Sequence, residues 1–387
     1  MLAHWLLDPT VTYLNHGTVG ASPRRVLAAQ QRIRDEIERQ PSRFLLRELS
    51  STTVGMPRSS PPRLRAAAEL VAAFLGARGE DLVFVDNATT GINAVVSSFD
   101  LRDGDEVLLT DHAYGAIRNA VSFHAASRGA RVRAVELPSP DRGPSAFTET
   151  VLAAIGPRTR LAVVDHVTSE SALVLPIAEI AAGCRARGVA LAVDGAHAPG
   201  ALALDVPSVG ADWYVGNLHK WAHAPRSSAF LWAGKERQEG LHPPVISWGL
   251  GKGFTAEFDW AGTKDPTPYL AAPEGISFMR ELGLEAMRAH NHGLAWAAAS
   301  LLAERWNTPY ALPERMVGTM VTVPLPERLG SSSEDAARLR DALLEQERIE
   351  VQLHASKGRL WVRVSAQAYN EIADVERLAA AVTARTS

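Results

Sequence analysis

The sequence contains almost no cysteine, no excess of one charge and no long apolar run. Cys184 is the only cysteine among 387 residues, which excludes an intramolecular disulfide and any metal or cluster site that needs several thiolates. The 40 basic and 43 acidic residues give a formal charge of −3, so no chain-wide positive field exists to attract nucleic acid or an anionic membrane. No apolar stretch approaches the roughly 18 residues of a membrane span. We therefore expect neither nucleic acid nor a membrane as a partner.

The first 17 residues also lack the basic leader and the long apolar core of a signal peptide, because Asp8 and Pro9 interrupt the apolar run. A lone cysteine fits a reducing compartment. Together these features predict a cytoplasmic protein. With 46% hydrophobic and 21% charged residues, the composition is that of a globular chain that folds around a core, and it excludes a disordered or collagen-like one.

Short, mostly apolar runs alternate with amphipathic segments in the first two thirds of the chain. The runs at 82–86, 106–110, 130–137, 161–165, 190–194, 212–216 and 228–232 predict seven strands, and the segments at 88–99, 113–128, 148–155 and 176–187 predict helices. Because most runs are apolar on both faces, this α/β pattern predicts a mostly parallel sheet with helices on both sides. The seventh run follows the sixth too closely for a helical crossover, so we expect at least one antiparallel neighbour.

Composition and patterning divide the chain further. The Ser- and Pro-rich segment 50–63 predicts a loop between a helix at 23–40 and another at about 64–75. From residue 267 onward, a smaller α+β domain is predicted. Its helical patterns lie at 267–281, 284–305, 335–348 and 371–384, and its strands at 320–325 and 360–366. We therefore predict a large domain at 23–266 and a small C-terminal domain at 267–387, with 1–22 as a separate N-terminal segment.

Polar side chains recur where the predicted strands end. They are Asp86 and Asn87, Thr110 to His112, Asp165 and His166, Asp194, and Asn217. A single polar strand end is often only a helix cap. In open α/β sheets, however, ligands bind beyond the carboxyl ends of the strands, so the recurrence predicts a site at this edge.

The strongest local signal joins Asp194, in ALAVDGAHAPG, with Lys220, in GNLHKW. An aspartate that closes one buried strand and a lysine just past the next lie at the same edge of the sheet. Pyridoxal phosphate chemistry needs this pair, because the amine forms a Schiff base with the cofactor and the carboxylate keeps the pyridine nitrogen protonated. From these two residues alone, an ordinary salt bridge is the alternative.

Several motifs extend this signal over nearly the whole chain. Besides VDGAHAPG and GNLHKW, they are YLNHG at 13–17, NATTG at 87–91, TDHAYGA at 110–116, DHVTS at 165–169, EFDWAGTKD at 257–265 and RVSAQAYN at 363–370. In this order they resemble the isopenicillin N epimerase-like branch of the class V aminotransferase and cysteine desulfurase superfamily. The resemblance implies a fold type I pyridoxal phosphate enzyme, with seven strands in the large domain, that forms a homodimer with shared active sites.

The resemblance also assigns cofactor contacts. It implies that Lys220 carries the cofactor, that Asp194 pairs with the pyridine nitrogen and that His197 bonds the 3-hydroxyl. The implied phosphate and other cofactor contacts are Ala88, Thr89, Thr90, Ser169, Asn217 and His219, with Thr263 reaching in from the neighbouring subunit. Ala88 to Thr90 open a predicted helix, whose free N–H groups suit a phosphate, although a plain helix cap is the alternative there.

Other residues are implied to act on an amino-acid substrate. His112 or Tyr114 stacks on the cofactor, and the choice between them stays open. Arg363 grips the α-carboxylate, unless its side chain is merely solvated surface. Asn15 and His16 lie in the N-terminal segment 1–22, which covers the active site in similar enzymes.

The residues leave the reaction open. Stretch 349–360, where sulfur-transferring relatives carry a cysteine, has none, and Cys184 lies in a predicted helix, which argues against persulfide chemistry. Epimerisation needs Lys220 and a second acid or base, for which the candidates are Tyr114, His112, Tyr13 and His16. β-Elimination of a sulfur-linked side chain needs only Lys220 and a leaving group. Aminotransfer or decarboxylation is a further alternative.

Two other hypotheses are disfavoured. A non-catalytic, cofactor-binding regulator does not need both Lys220 and Arg363, and both are present. His219 and His223 have the i, i+4 spacing of a metal pair, but no further ligand has suitable spacing near them. We therefore expect an enzyme without a metal.

Overall fold

The computed structural model describes residues 1–52 and 60–386, so 53–59 of the predicted loop at 50–63 lie outside the described residues. The described strands are β1 Thr12–Tyr13, β2 Leu82–Val85, β3 Glu106–Thr110, β4 Arg131–Val135, β5 Thr159–Asp165, β6 Ala190–Asp194, β7 Trp213–Asn217, β8 Ala229–Ala233, β9 Met320–Pro324, β10 Ile349–Glu350, β11 Gln352–Ser356 and β12 Arg359–Ser365. The described α-helices are α1 His16–Val19, α2 Arg24–Arg39, α3 Pro41–Arg43, α4 Arg63–Phe74, α5 Ala88–Ser98, α6 Gly115–Ala126, α7 Gly143–Ala153, α8 Ile177–Ala186, α9 Val206–Val209, α10 Phe254–Asp259, α11 Thr267–Leu270, α12 Ala272–Leu282, α13 Leu284–Trp306, α14 Ser333–Glu347 and α15 Ile372–Ala384.

The seven predicted strands form one sheet in the order β2-β8-β7-β6-β5-β3-β4, which confirms the predicted α/β architecture. Strands β3 to β7 pair in parallel with one another, and β8 is antiparallel to both of its neighbours, β7 and β2. The close spacing of β7 and β8 along the chain explains this reversal, because it leaves no room for a helical crossover.

Alternate residues of the central strands pack into two different cores. Leu191 and Val193 of β6 join one apolar cluster with residues of α4, α7, α8 and α12. Ala190 and Ala192 join a second cluster with residues of α5 and α6. The sheet is therefore covered by helices on both faces, as its apolar strands predict. Helix α7 begins at Gly143, earlier than the predicted start at 148, and Pro144 lies in its first turn, where the missing N–H costs nothing.

The C-terminal part contains a three-stranded antiparallel sheet in the order β11-β12-β9, covered by α13, α14 and α15. Strand β11 was not predicted, because only one of its five residues, Leu353, is buried and its sequence, QLHAS, is not strongly apolar. The proposed boundary after residue 266 stays a prediction. Ile276 and Met279 of α12 pack into the core on one face of the large sheet. A separate core contains Leu294 of α13 together with residues of β9 and β12.

The parallel strands all point their carboxyl ends toward the same edge of the large sheet. Asp165 and Asp194 are direct neighbours in the β5–β6 register, and the chain continues from β7 at Asn217 to Lys220. The N-terminal segment crosses to the C-terminal part of the chain, where β1 pairs with β10. None of the described helices has the length and apolar character needed to cross a membrane.

Candidate active site

A cavity of about 450 Å³ lies at the carboxyl ends of the parallel strands. Its lining residues are Thr18, Asn87, Ala88, Thr89, Thr90, Tyr114, Asp165, Val167, Ser169, Asp194, Ala196, His197, Asn217, His219 and Lys220. They come from the ends of four strands, the start of α5 and the N-terminal segment. The fold thus brings together residues that are far apart in the sequence, at the sheet edge where the polar strand ends predict a site.

The Lys220 amine loses its proton much more readily than an ordinary lysine does. Its Nζ lies 3.1 Å from Nε2 of His197, whose Nδ1 accepts a hydrogen bond of 3.4 Å from the Trp221 indole N–H. A neutral imidazole that accepts at Nδ1 carries its proton on Nε2, so His197 donates to the Lys220 nitrogen. Burial and the nearby Arg363 lower the pKa of Lys220 to about 7, which agrees with an amine that accepts this bond.

Two buried carboxyl groups stand side by side next to this amine. Burial raises the pKa of Asp194, but the backbone N–H of Ala196, which donates to Asp194 Oδ1 at 3.0 Å, and the positive charge of Lys220 when it is protonated oppose this rise. Burial raises the pKa of Asp165, and the neighbouring Asp194 raises it further. Two neighbouring carboxyl groups in a buried site cannot both ionise easily. Because burial and Asp194 both raise the pKa of Asp165, Asp165 holds the proton and Asp194 carries the negative charge.

The first turn of α5 forms another wall. Asn87 caps the helix by accepting the Thr90 N–H at 2.9 Å, and the Ala88 N–H donates to Oδ1 of Asn217, also at 2.9 Å. Among the described residues, the backbone N–H and the hydroxyl of Thr89 have no hydrogen-bond partner. A helix N-terminus with one free N–H and free hydroxyl is suited to an anionic oxygen.

His219 lies on the same side of the cavity. Its Nδ1 donates to the carbonyl oxygen of Ser228 at 2.9 Å, which leaves Nε2 as the second ring nitrogen. Burial lowers the pKa of His219 to about 4, so the ring is neutral in the protein alone. An anion at Nε2 would favour the protonated ring, because an opposite charge stabilises the cation.

Arg363 on β12 is a buried cation without a carboxylate partner among the described residues. Only 3% of its surface is exposed, and it donates to the carbonyl oxygen of Ser169 at 2.6 Å and to the Thr18 hydroxyl at 2.7 Å. By contrast, the mostly buried Arg65 pairs directly with Asp259. Burial lowers the pKa of Arg363 to about 10, so the guanidinium is still charged at neutral pH. A buried, unpaired cation destabilises the empty protein and favours an anionic ligand.

Comparisons with known proteins identify the family. Residues 51–378 match the family model described as aminotransferase class-V. The chain belongs to the class-V aminotransferase family. Across 98% of its length it is 36% identical to an isopenicillin N epimerase from Streptomyces clavuligerus, of which the match covers 96%. It is also 33% identical to a probable chloroplastic L-cysteine desulfhydrase from Arabidopsis thaliana, over 97% of this chain and 83% of that protein.

Solved structures agree at the level of the fold. The cystine C–S lyase C-DES, in complex with its product cysteine persulfide, superposes with a TM-score of 0.79 at 21% identity, and the match covers 97% of each chain. A cysteine desulfurase from Thermococcus onnurineus gives a TM-score of 0.78 at 20% identity over 98% of this chain and 95% of the other. At such low identity the likeness shows the fold alone, which is that of the fold type I pyridoxal phosphate enzymes.

As a class-V family member, the protein is an enzyme that uses pyridoxal phosphate. The donor set of the cavity fits this cofactor. The amine of Lys220 can react with the cofactor aldehyde, and the ionised carboxylate of Asp194 can face its protonated ring nitrogen. The free N–H at the start of α5 can bind its phosphate. No group of three or more His, Cys, Asp or Glu side chains arranged for a metal occurs within the described ranges.

Some predicted site residues of this class-V enzyme do not line the cavity. His112 turns away from it and bonds Ser171 through Nδ1 at 2.6 Å, whereas Tyr114 lines it with about half of its surface exposed. His16 is fully buried, and its ring nitrogens bond the Tyr369 hydroxyl and the Lys220 carbonyl oxygen.

The remaining three lie at the periphery. Asn15 donates to Glu350 and accepts from Thr18, so it lies behind the Thr18–Arg363 contact. Arg363 itself reaches the cavity wall through Thr18 and Ser169. Thr263 lies exposed on the loop after α10, outside the cavity of its own chain.

Five lining residues, Thr18, Asn87, Asp165, Val167 and Ala196, were not assigned a role by the sequence analysis, and Asp165 and Thr18 make the most informative contacts among them. Asp165 was noted only as a polar strand end, and nothing in its motif separates it from a helix cap. Thr18 directly follows the motif YLNHG at 13–17. Its contact with Arg363 joins positions 345 residues apart, which the sequence alone does not reveal. Cys184 is fully buried in α8 and burial raises its pKa to about 11, which agrees with a structural thiol.

Proposed function

We propose that this enzyme removes the α-proton of an amino acid with Lys220 and completes the reaction by β-elimination of a sulfur-linked side chain. The observation that carries the proposal is the unprotonated Lys220 amine, held by His197 inside the cavity. A general base must be neutral at working pH, and an ordinary lysine is not. Elimination needs no second acid–base residue, so the groups that line the cavity suffice.

The lining of the cavity supports the cofactor contacts that the family resemblance implies. Lys220 would bind its aldehyde, the Asp194 carboxylate would face its ring nitrogen, and His197 would lie near its hydroxyl. The phosphate would meet Ala88, Thr89 and Thr90 at the start of α5, together with Asn217 and His219, and Ser169 would complete the wall. When bound, the cofactor stabilises the negative charge left on the α-carbon after proton removal.

The Arg363 guanidinium would bind the α-carboxylate, since it is a buried cation without an ion-pair partner in the described chain. Thr18 and Asn15 would orient it through their hydrogen bonds. Because the charge of Arg363 acts on the Lys220 amine, a carboxylate held by Arg363 would place the α-carbon near Lys220. Transfer of the α-proton to Nζ and departure of the sulfur with the bonding electron pair would give, after hydrolysis, pyruvate, ammonia and a thiol.

Epimerisation is the second candidate, and the position of Tyr114 favours it. Of the four residues considered as a second acid or base, Tyr114 is the one that lines the cavity. A tyrosine hydroxyl could return a proton to the face of the α-carbon that Lys220 does not reach. The 36% identity to an isopenicillin N epimerase also supports this candidate. Aminotransfer and decarboxylation stay alternatives on the same scaffold.

A homodimer with shared sites is also proposed. Thr263 lies outside the cavity of its own chain and would complete the phosphate site of the partner subunit. Val245, Ile246, Trp248 and Leu250 supply an exposed apolar patch, with 67% of Trp248 exposed, and such patches mark interaction surfaces. Sedimentation velocity should give a dimer, and Trp248→Glu should weaken it together with turnover. A fully active wild-type monomer at assay concentration would contradict the proposal.

The cytoplasmic location predicted from the sequence stays a prediction, since one relative is named as chloroplastic.

The proposed reaction itself is tested by incubating the enzyme with S-substituted L-cysteines in deuterated water. Elimination predicts pyruvate and ammonia. Deuterium at the α-carbon with inversion and without pyruvate would indicate epimerisation, and the absence of both deuterium incorporation and pyruvate would contradict both candidates.

A further inference from the structure

A second cavity, of about 260 Å³, lies between the large sheet and the small domain. We infer that it receives the side chain of the substrate and selects an extended, uncharged side chain that carries an amide or another hydrogen-bonding group. This inference rests on the proposed function, because it places the α-carboxylate at Arg363. The cavity is distinct from the one around Lys220, and of the residues considered as cofactor contacts only His112 lines it.

The two cavities share a wall. Ser169 lines the cavity of Lys220, whereas the next two residues, Glu170 and Ser171, line the second one. Tyr114 and His112 are divided in the same way. The two cavities therefore adjoin each other along these two loops.

The small-domain sheet connects the cavities on its other side. Trp361 and Arg363 are two residues apart on β12, so they face the same side of the sheet, about 7 Å from each other along the strand. His354 is paired with Trp361, and Thr322 with Arg363, which places all four on one face. Trp361, His354 and Thr322 line the second cavity. The face that holds the carboxylate-binding guanidinium thus continues directly into this cavity.

The walls suit a neutral, partly apolar group. Tyr310 and Trp361 meet edge to face with ring centroids 5.3 Å apart. Burial lowers the pKa of His354 to about 4, so its ring is neutral, and its buried Nδ1 has no hydrogen-bond partner in the described chain. Burial also lowers the pKa of His112. The Ser356 hydroxyl also lines the cavity and has no hydrogen-bond partner in the described chain, so it could bond an amide group without bringing a charge into the cavity.

The charges at the cavity disfavour a carboxylate. Asp111 and Glu170 both line it, and the Glu170 carboxylate has no ion-pair partner among the described residues. Lys357 is the one lysine in the lining, and it is already paired with Glu136 at 2.7 Å. A substrate side chain that ends in a carboxylate would therefore meet two like charges and a cation that is already neutralised.

The volume favours a side chain longer than that of cysteine. A cavity volume of about 10–15 Å³ is enough to hold one water molecule. The 260 Å³ of the second cavity therefore accommodates a group of several non-hydrogen atoms. The thiol of cysteine would leave most of this space to water. Displacing poorly ordered water from beside the aromatic rings increases affinity for a longer side chain.

Three compounds test the inference on the holoenzyme: S-carbamoylmethyl-L-cysteine, the isosteric S-carboxymethyl-L-cysteine and L-cysteine. Their binding is followed by the change in cofactor absorbance and their turnover by pyruvate release. We expect the amide to bind and to react at least tenfold better than the carboxylate. Glu170→Gln should narrow this ratio, and Glu179→Gln, which removes an exposed carboxylate on α8, should leave it unchanged.

A filling variant completes the test. Ser356→Phe should lower kcat/KM for the amide at least tenfold more than for L-cysteine, because the added ring occupies the second cavity. Equal preference for amide and carboxylate, or equal losses for the long and short substrates in Ser356→Phe, would overturn the inference. If no compound releases pyruvate but the amide still binds more tightly and Ser356→Phe removes that difference, elimination fails and the inference is supported.

Discussion

The Nζ of Lys220 lies 3.1 Å from Nε2 of His197, and the indole N–H of Trp221 donates to the other nitrogen of the same ring. This arrangement fixes the imidazole as the Nε2–H tautomer and makes the lysine nitrogen an acceptor. Together with burial, it prepares an unprotonated amine in the protein before any ligand binds. The chemistry of the site therefore depends on a pair of hydrogen bonds made by residues within 25 positions of one another.

The rate of cofactor loading should report the lowered pKa of Lys220. Only the neutral amine attacks an aldehyde, so a pKa of about 7 predicts a rate that rises with pH and levels off above about 7. An ordinary lysine would instead give a rate that keeps rising through pH of about 10. The measurement is the rate at which visible absorbance develops when pyridoxal phosphate is added to the apoenzyme. Absence of a plateau below pH of about 9 would contradict the lowered pKa.

Trp221→Phe should move that plateau to higher pH. Without the indole donor, His197 can carry its proton on Nδ1 and accept from a protonated Lys220, which stabilises the ammonium. A single hydrogen bond of about 1 kcal/mol corresponds to a shift of roughly 0.5–1 pH unit. The loading profile of the variant is the measurement. A merely structural role of Trp221 would lower the loading rate without moving its midpoint.

Asp194 and Asp165 form a matched pair for substitution, since they are neighbours in the same register. Asp194→Asn removes the negative charge that faces the ring nitrogen, so turnover should fall by at least 100-fold and the cofactor should bind more weakly. Asp165→Asn replaces a carboxyl group that is already protonated, so turnover should change less than tenfold. Steady-state kinetics and cofactor titration of both variants provide the comparison. Equal losses in the two variants would mean that the proton is not on Asp165.

Arg363→Met should separate ligand binding from stability. A charge-assisted hydrogen bond contributes about 1.5–3 kcal/mol, so kcat/KM should fall by about one to two powers of ten, while cofactor absorbance is retained. The apoenzyme should melt at a higher temperature than the wild type, because an unpaired buried cation has been removed. Lysine at this position should restore only part of the activity, since a point charge cannot replace the guanidinium fork. If Arg363→Met folds stably and has the wild-type kcat/KM for a substrate with a free α-carboxylate, the proposed role of Arg363 is contradicted.

Much of the fold could be predicted because the central strands are buried on both faces and read as apolar runs. The edge strand of the small sheet, β11, could not be predicted, because its side chains are mostly half-buried and its sequence does not form an apolar run. The choice between His112 and Tyr114 was also beyond the sequence. Both follow β3 within four residues, and only the path of the loop turns Tyr114 to one cavity and His112 to the other.

In the candidate site, Lys220 and Asp194 could be predicted because each ends or follows a buried strand and lies in a specific motif. Thr18 and Asp165 could not, because their significance arises only from contacts across the fold. Thr18 meets Arg363 where the N-terminal segment crosses the small domain, and Asp165 meets Asp194 through strand pairing. Sequence patterns describe neighbours along the chain, and these contacts join elements that are distant in it.

Reduction of the holoenzyme with borohydride, followed by peptide mass mapping, tests the central claim most directly, since every role proposed for the cavity depends on Lys220 as the cofactor-bearing residue. We predict the mass of the reduced cofactor on the peptide that contains Lys220, and none on that peptide in Lys220→Arg. The control variant Lys252→Arg changes an exposed lysine and should still carry the reduced cofactor on the peptide that contains Lys220, as the wild type does. A reduced cofactor on any other lysine of the wild-type enzyme would contradict the account.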